Sequence, residues 1–336
     1  MMKLPSPEDF RDIRKPPFQI AVLFGTLLLF LITNSIFREG GLSFLPTLFA
    51  ILIVIEIFAF VGMEVKDGAR KHGWTHEIVD TVIALAVAVA IWYGLSFVLN
   101  TATPVSGVVS CSMLPNLQRG DFVIVQGAPV KAYDIEMSRA EFDTLLSSAA
   151  IIQYGNQTKA INGSLFPYCL GSPKSEMCSY FIQSPEGIIE KKGPFTYRYE
   201  RCPIALSNGA SGSEPCLKSV TFHGREYLTN FSNDIIVYQP KAGDLYSLIG
   251  DIVHRTFFRI SVDGETYYLT RGDNNPILDI QVYDYGRGLG NSPVPQSNLR
   301  GKVIGRIPLL GYFKLFISGY FKEDAQCKTQ LDFTKA

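Results

Sequence analysis

Three stretches within the first hundred or so residues carry almost no charge, and nothing else in the chain restricts its folding as tightly. Phe18 to Phe37 has no charged residue, Leu42 to Met63 has one, Glu56, and Thr81 to Thr103 again has none. About twenty helical residues, rising ~1.5 Å each, cross the ~30 Å hydrocarbon core of a bilayer. Transmembrane helices are therefore expected over 18–37, 42–63 and 81–103. The rival reading of the first stretch, a cleaved signal peptide, needs a short apolar core and small residues at a cleavage site. This stretch is longer and closes on Thr33-Asn34-Ser35, Phe37 and Arg38.

Basic residues in short loops resist translocation and so set orientation. Lys3, Arg11, Arg14 and Lys15 precede the first stretch and Lys66, Arg70 and Lys71 separate the second from the third, whereas Arg38 alone lies between the first two. The N-terminus is expected to be cytoplasmic and everything after about Thr103 extracytoplasmic. Glu56 is costly facing lipid, and helix packing or a partner contact is its expected use. Across all 336 residues, 31 Lys and Arg balance 31 Asp and Glu. That balance supplies no basic footprint for phosphates and excludes nucleic acid as the expected partner. With 47% hydrophobic residues the chain is not a disordered one either.

Four of the six cysteines, Cys169, Cys178, Cys202 and Cys216, fall in one stretch rich in Gly, Ser and Pro. In an oxidising space they are disulfide candidates. Pairing of neighbours, Cys169 with Cys178 and Cys202 with Cys216, closes short loops and is preferred among the three connectivities four cysteines allow. A zinc site is the alternative, but the spacing is not that of paired knuckles and the nearby histidine is His223 alone. Asn156-Gln-Thr, Asn162-Gly-Ser and Asn230-Phe-Ser are legal glycosylation acceptors, which points to a surface location. No cofactor and no metal are called for.

Two further regions carry chemistry. Ser110-Cys111-Ser112-Met113-Leu114-Pro115 leads through Arg119-Gly120-Asp121 into Phe122-Val-Ile-Val125, a turn into a buried strand. On extended chain Ser110 and Ser112 share a face and Cys111 takes the other. Serine becomes a nucleophile only where a base takes its proton. A candidate base, His254, stands in Gly250-Asp-Ile-Val-His254-Arg255, ahead of two β-rich runs joined by Val262-Asp263-Gly264-Glu265, a good hairpin turn. Arg271-Gly272-Asp273-Asn274-Asn275 and Asp279 follow the second run. An antiparallel pair brings the imidazole and a carboxylate together, although each piece alone also reads as ordinary strand or turn.

Together these boxes resemble the type I signal peptidase family, in the branch shared by archaeal enzymes and the endoplasmic-reticulum complex. Ser110-Cys-Ser112-Met113-Leu-Pro115 is similar to the family's nucleophile box, and Gly250 to Arg255 to the box where this branch carries histidine instead of lysine. Arg271 to Asn275 with Asp279 matches the third box, and Gly301-Lys-Val-Ile-Gly305-Arg306-Ile-Pro308 resembles the closing strand. The likeness covers roughly 101–127 and 235–312. It implies a mainly β, antiparallel catalytic domain and a serine endopeptidase that cuts signal peptides from preproteins at the outer membrane face. Ser112 is then the nucleophile, His254 its base, and Asp279, with Asp273 second, the orienting carboxylate. Ser110 and the Ser112 N–H are the implied oxyanion donors, and Met113 is expected to line a shallow substrate pocket.

The chain departs from the family pattern at Leu114, often acidic there, and at Cys111, usually glycine. Cys111 introduces a rival thiol nucleophile, against which the alternation of faces argues. The interval from Ser112 to His254 is also long. The expected organisation is a membrane anchor over 1–103 and a catalytic domain over 104–127 plus 235–308. A disulfide-bonded subdomain at the rim is inserted over 128–234, and an interfacial segment and tail run over 309–336. Signal peptides as substrate, the bilayer and the translocation machinery are the expected partners. The expected location is an archaeal plasma membrane ahead of the endoplasmic reticulum. A catalytically silent subunit of a secretion complex and a same-clan protease acting on other proteins are the competing readings.

Overall fold

A computed structural model of the chain describes residues 15–36, 44–207, 209–317 and 325–332. Lys3, Arg11, Arg14 and Arg38, on which the expected orientation largely rests, lie outside the described residues, as do 318–324 and 333–336 of the tail. The chain divides into two compact units, Met1–Gly94 and Leu95–Ala336.

In the first unit α1 (Pro16–Ile36) and α2 (Phe44–His72) precede α3 (Trp74–Val98), whose last residues lead the second. Among the described residues α3 alone is long and apolar enough to cross a membrane, against three such helices expected. The apolar part of α1 is shorter, Pro17–Phe30, and α2 continues into Glu64, Lys66, Asp67, Arg70 and Lys71. Thr26 Oγ1 on α1 donates to Glu56 Oε1 on α2 at 2.8 Å, so the one acidic group of the second apolar run has a helix-packing partner.

The third helix was expected over 81–103 and lies seven residues earlier at its start. Gly73, at φ 85°, breaks it from α2, and helical bonding then runs through the polar residues His76, Glu77 and Asp80 before the apolar run begins. It ends at Val98 because Asn100 turns left-handed, at φ 50°. Thr101 N–H donates to Ser96 O and Asn100 N–H to Phe97 O, a Schellman closure. Within the second unit, Asn100 Nδ2 donates to Gly127 O and Gly127 N–H to Leu99 O.

The second unit is mainly β, as expected. Its strands in chain order are β1 (Val105–Gly107), β2 (Phe122–Gln126), β3 (Tyr133–Glu136), β4 (Ala150–Tyr154), β5 (Gln157–Ile161), β6 (Ile188–Lys192), β7 (Phe195–Leu206), β8 (Ser211–Phe222) and β9 (Arg225–Leu228). There follow β10 (Ile235–Tyr238), β11 (Ile252–Val262), β12 (Glu265–Arg271), β13 (Tyr283–Asp284), β14 (Leu289–Gly290), β15 (Val294–Pro295), β16 (Leu299–Ile307) and β17 (Thr329–Leu331). One sheet has the order β1-β2-β16-β10-β11-β12-β15, with β3 added in parallel to β11. A second runs β5-β4-β6-β7-β8-β9, with β17 paired to β7. Helices α4 (Arg139–Ser147), α5 (Leu165–Gly171) and α6 (Glu176–Gln183) accompany the second sheet, and α7 (Tyr312–Ile317) follows β16.

Local chemistry accounts for these elements. Asp263 and Gly264, at φ 49° and 83°, form the left-handed pair that a two-residue hairpin between β11 and β12 requires. Along β7, Phe195, Tyr197 and Tyr199 are buried and Arg198 is exposed, the period-two pattern of a half-buried strand. Ser138 caps α4 by accepting from Glu141 N–H, and Glu141 answers onto Ser138 N–H.

The two sheets share one apolar core. Ile152, Tyr197 and Leu217 of the second pack in the same cluster as Phe258, Ile260 and Leu269 of the first. Residues 128–234 also contribute β3 to the first sheet, so this stretch is joined to the rest through both a ladder and a core. Of the three sequons, Asn156 lies exposed between β4 and β5, Ser164 of the second is fully buried, and Asn230 Oδ1 accepts from Ser232 N–H.

Cys169 pairs with Cys178 and Cys202 with Cys216, the neighbour connectivity expected. The sulfurs near Glu200 are thus bonded to each other, which removes the thiolates a zinc site would use. Cys111 forms a third disulfide with Cys327, so the rival thiol nucleophile does not exist in this structure. Non-reducing peptide mapping should recover these three linked pairs and no free thiol. Replacing Cys202 and Cys216 together by serine should lower stability by about 3 kcal/mol, measured as a shift in denaturant unfolding of the intact chain.

Candidate active site

The nucleophile loop leaves β1 and enters β2, and it is a series of turns rather than extended chain. Ser110 and Ser112 nevertheless face the same way, their hydroxyls 3.0 Å apart, and Cys111 points away into its disulfide with Cys327. Met113 does not line a pocket. It is buried beneath the loop with Val108, Leu117, Val123 and Val253, because the turn directs it into the apolar cluster there. Gly272, just after β12, comes so close that a Cβ there would lie 2.6 Å from Ser112 O. Only a residue without a side chain fits that approach.

His254 lies on β11, opposite Ile236 of β10. Its Nε2 is 2.9 Å from Ser112 Oγ and its Nδ1 2.6 Å from Asp279 Oδ2. Ser112, His254 and Asp279 are all buried. In this arrangement Nδ1–H donates to the carboxylate and leaves Nε2 as the acceptor for the serine proton. The order is serine, imidazole, carboxylate, with each contact at hydrogen-bond length.

Asp279 occupies a single 3₁₀ turn, Asp279–Gln281, after β12. Besides His254, its Oδ2 accepts from Thr270 Oγ1 at 2.6 Å and Tyr238 OH at 3.2 Å, while Asn291 Nδ2 donates to its backbone oxygen at 3.0 Å. Burial first, then the Asp279 charge, pushes the Tyr238 phenol well above its ordinary range, so it stays a protonated donor. Arg271 is also buried, which pulls its guanidinium down to about 10, while Asp273 and Asp279 hold it up. It therefore remains a cation at neutral pH beside the two aspartates. Tyr238, Thr270 and Asn291 were not expected from the sequence, since a tyrosine, a threonine and an asparagine in strands and turns carry no motif.

Asp273 is engaged elsewhere. Arg255 grips it with two bonds of 2.7 Å, from Nε to Oδ1 and from Nη2 to Oδ2, and Asn116 Nδ2 donates to Oδ2 at 2.7 Å. Arg255 also donates to the carbonyls of Phe231 and Asn233. This pair, its carboxylate buried and its guanidinium partly so, ties the nucleophile loop to β11. Asn274 reinforces it: its N–H donates to Ser112 O at 2.7 Å and its Nδ2 to Cys111 O at 3.2 Å. The same side chain holds the tail segment, donating to Thr329 O and accepting from Leu331 N–H.

No protein-family model matches the chain. Curated proteins do. The signal peptidase complex catalytic subunit of Chaetomium globosum is 32% identical over 85 residues, 25% of this chain and 44% of that protein. Those of Sclerotinia sclerotiorum and Pyrenophora tritici-repentis are 31% identical over 85 residues and 36% over 87, covering 25% of this chain and 44% and 45% of theirs. The chain spans less than half the length of these relatives. The resemblance to the type I signal peptidase family is thus matched by homologues that are signal peptidase catalytic subunits. They are fungal, and the archaeal origin expected from the histidine box finds no support among them.

Arg255→Ala strips the buried Asp273 carboxylate of both its guanidinium bonds, leaving it Asn116 and the neighbouring charge of Arg271. Losing one partner of a buried pair costs about 3–5 kcal/mol, so this variant should unfold at markedly lower denaturant than the parent. An unchanged midpoint would assign Asp273 a role other than holding the loop.

Proposed function

We propose that the chain is a membrane-anchored serine endopeptidase that removes N-terminal signal peptides from exported preproteins. The observation that carries this reading is the bond path from Ser112 Oγ through His254 to Asp279. The similarity to signal peptidase catalytic subunits supplies the substrate class.

As Ser112 Oγ attacks the scissile carbonyl, its proton passes to His254 Nε2, and Asp279 steadies the imidazolium that forms. The Ser110 hydroxyl, 3.0 Å from Ser112 Oγ, and the Ser112 N–H donate to the oxygen that becomes negative. The imidazolium returns the proton to the leaving amine, and water then releases the acyl group by the same path. Arg271 counterbalances the buried carboxylates and Asp273 holds the loop; neither exchanges a proton with the substrate.

The membrane arrangement belongs to the same proposal. Helices α1, α2 and α3 form the membrane anchor, with the N-terminus inside and the active site on the extracytoplasmic face. Residues 104–127 and 235–308 form the catalytic domain. The 128–234 insertion packs its own sheet into that domain's core, and the chain just after β16 faces the membrane interface, where Leu309 and Leu310 are exposed. Translocation machinery is the expected neighbour, because the cleavage point of a preprotein emerges there.

The test incubates a preprotein with membranes containing the intact chain or Ser112→Ala. The parent is expected to release the mature protein, and Ser112→Ala and His254→Ala to lose about a thousandfold or more of the rate. Cleavage by Ser112→Ala at the parental rate would sink the serine mechanism, and no cleavage by either would indicate a silent subunit. Activity should also fall as the medium is acidified, because an imidazolium cannot accept the serine proton. A flat acid limb would remove His254 from that role.

A further inference from the structure

The second sheet reaches the active site through a buried polar path. Gln281 ends the 3₁₀ turn that carries Asp279. Its Oε1 accepts from Leu278 N–H at 3.1 Å, closing the turn, and its Nε2 donates to Tyr199 OH at 2.8 Å. Tyr199 lies on β7, in the second sheet, and its one hydroxyl proton goes to Glu190 Oε2 on β6. Leu165 N–H and Ser164 Oγ also donate to that oxygen, at 3.3 and 3.5 Å. Donors and acceptors alternate consistently, from amide to phenol to carboxylate.

These groups are among the least exposed in the protein: Glu190 is 0%, Tyr199 1% and Gln281 1% accessible. Burial raises the Glu190 carboxyl above its ordinary range and drives the Tyr199 phenol far up. Polar groups held so deep are costly unless they have partners, and apolar residues of similar shape would pack there without that cost. Phenylalanine at 199 would fill the same space among Phe181, Leu278 and Ile280, which share its core. The Tyr199 hydroxyl is therefore explained by what it holds. At one end stands the core of the 128–234 insertion, and at the other the turn whose first residue orients His254.

We propose that Tyr199 and Gln281 are positioning residues, which use the inserted sheet to fix the Asp279 carboxylate on His254. This rests on the reading of Ser112, His254 and Asp279 as the catalytic groups. The insertion is then an integral support of the active site, and its length before His254 has a use in the reaction itself. A small displacement of a catalytic group costs rate far more than it costs folding.

The test is a double-mutant cycle on the intact chain in membranes, following steady-state cleavage over a range of preprotein concentrations. Tyr199→Phe should lower kcat about tenfold with KM little changed and with the three disulfides still formed. In an Asp279→Ala background the same substitution should have almost no further effect, because the group it positions is gone. Gln281→Met cuts the path from the other side and should behave alike, which guards against a folding defect peculiar to one variant. Parental kcat in both Tyr199→Phe and Gln281→Met, or the same fold-loss with and without Asp279, would overturn the proposal. Asp279→Ala at the parental rate would instead bring down the catalytic reading on which it rests.

Discussion

The charge of Asp279 is the constraint around which the β unit is organised. A carboxylate removed from water must be met by donors, and this one is met on a single oxygen by His254, Thr270 and Tyr238. Those three residues come from β11, β12 and β10, which are adjacent in the sheet. Each strand must therefore hold its register, with Ile236 opposite His254 and Thr256 opposite Thr270. A slip of one residue would turn His254 to the other face. The carboxylate depends on the sheet, and the imidazole's orientation depends on the carboxylate.

Around that centre, separate devices hold the serine. β16 lies between β2, which follows the nucleophile loop, and β10, beside the strand bearing His254. Gly272 lets the end of β12 approach Ser112, Asn274 fastens the loop backbone, and the Arg255–Asp273 pair joins it to β11 through Asn116. Cys111 and Cys327 add a covalent tie from the loop to the tail, which runs on as β17 alongside β7. One face of a short loop thus presents two hydroxyls while the other is bonded down.

The inserted stretch shares in this arrangement. Its sheet packs into the core that contains Phe258 and Leu269, β3 extends the ladder of β11, and Tyr199 meets Gln281 in the turn of Asp279. A segment that only decorated the rim would need none of these contacts. Its two local disulfides close short loops within it, and the shared core gives them a fixed base.

Read alone, the sequence determined whatever depends on near neighbours. Long apolar runs give helices, Asp263-Gly264 gives a hairpin, and Cys169 finds Cys178 because few residues separate them. The grouping of Ser112, His254 and two aspartates was legible too, since those residue types stand in recognisable boxes. Tertiary structure decided the rest. Asp279 rather than Asp273 faces the imidazole because Arg255 has taken the other carboxylate. Cys111 meets a partner 216 residues away, Met113 turns inward, and the third helix stops where Asn100 turns left-handed. Tyr238, Thr270, Gln281 and Tyr199 take their places from strand order and packing. Such contacts form between residues far apart in the chain, and no local pattern of side chains records them.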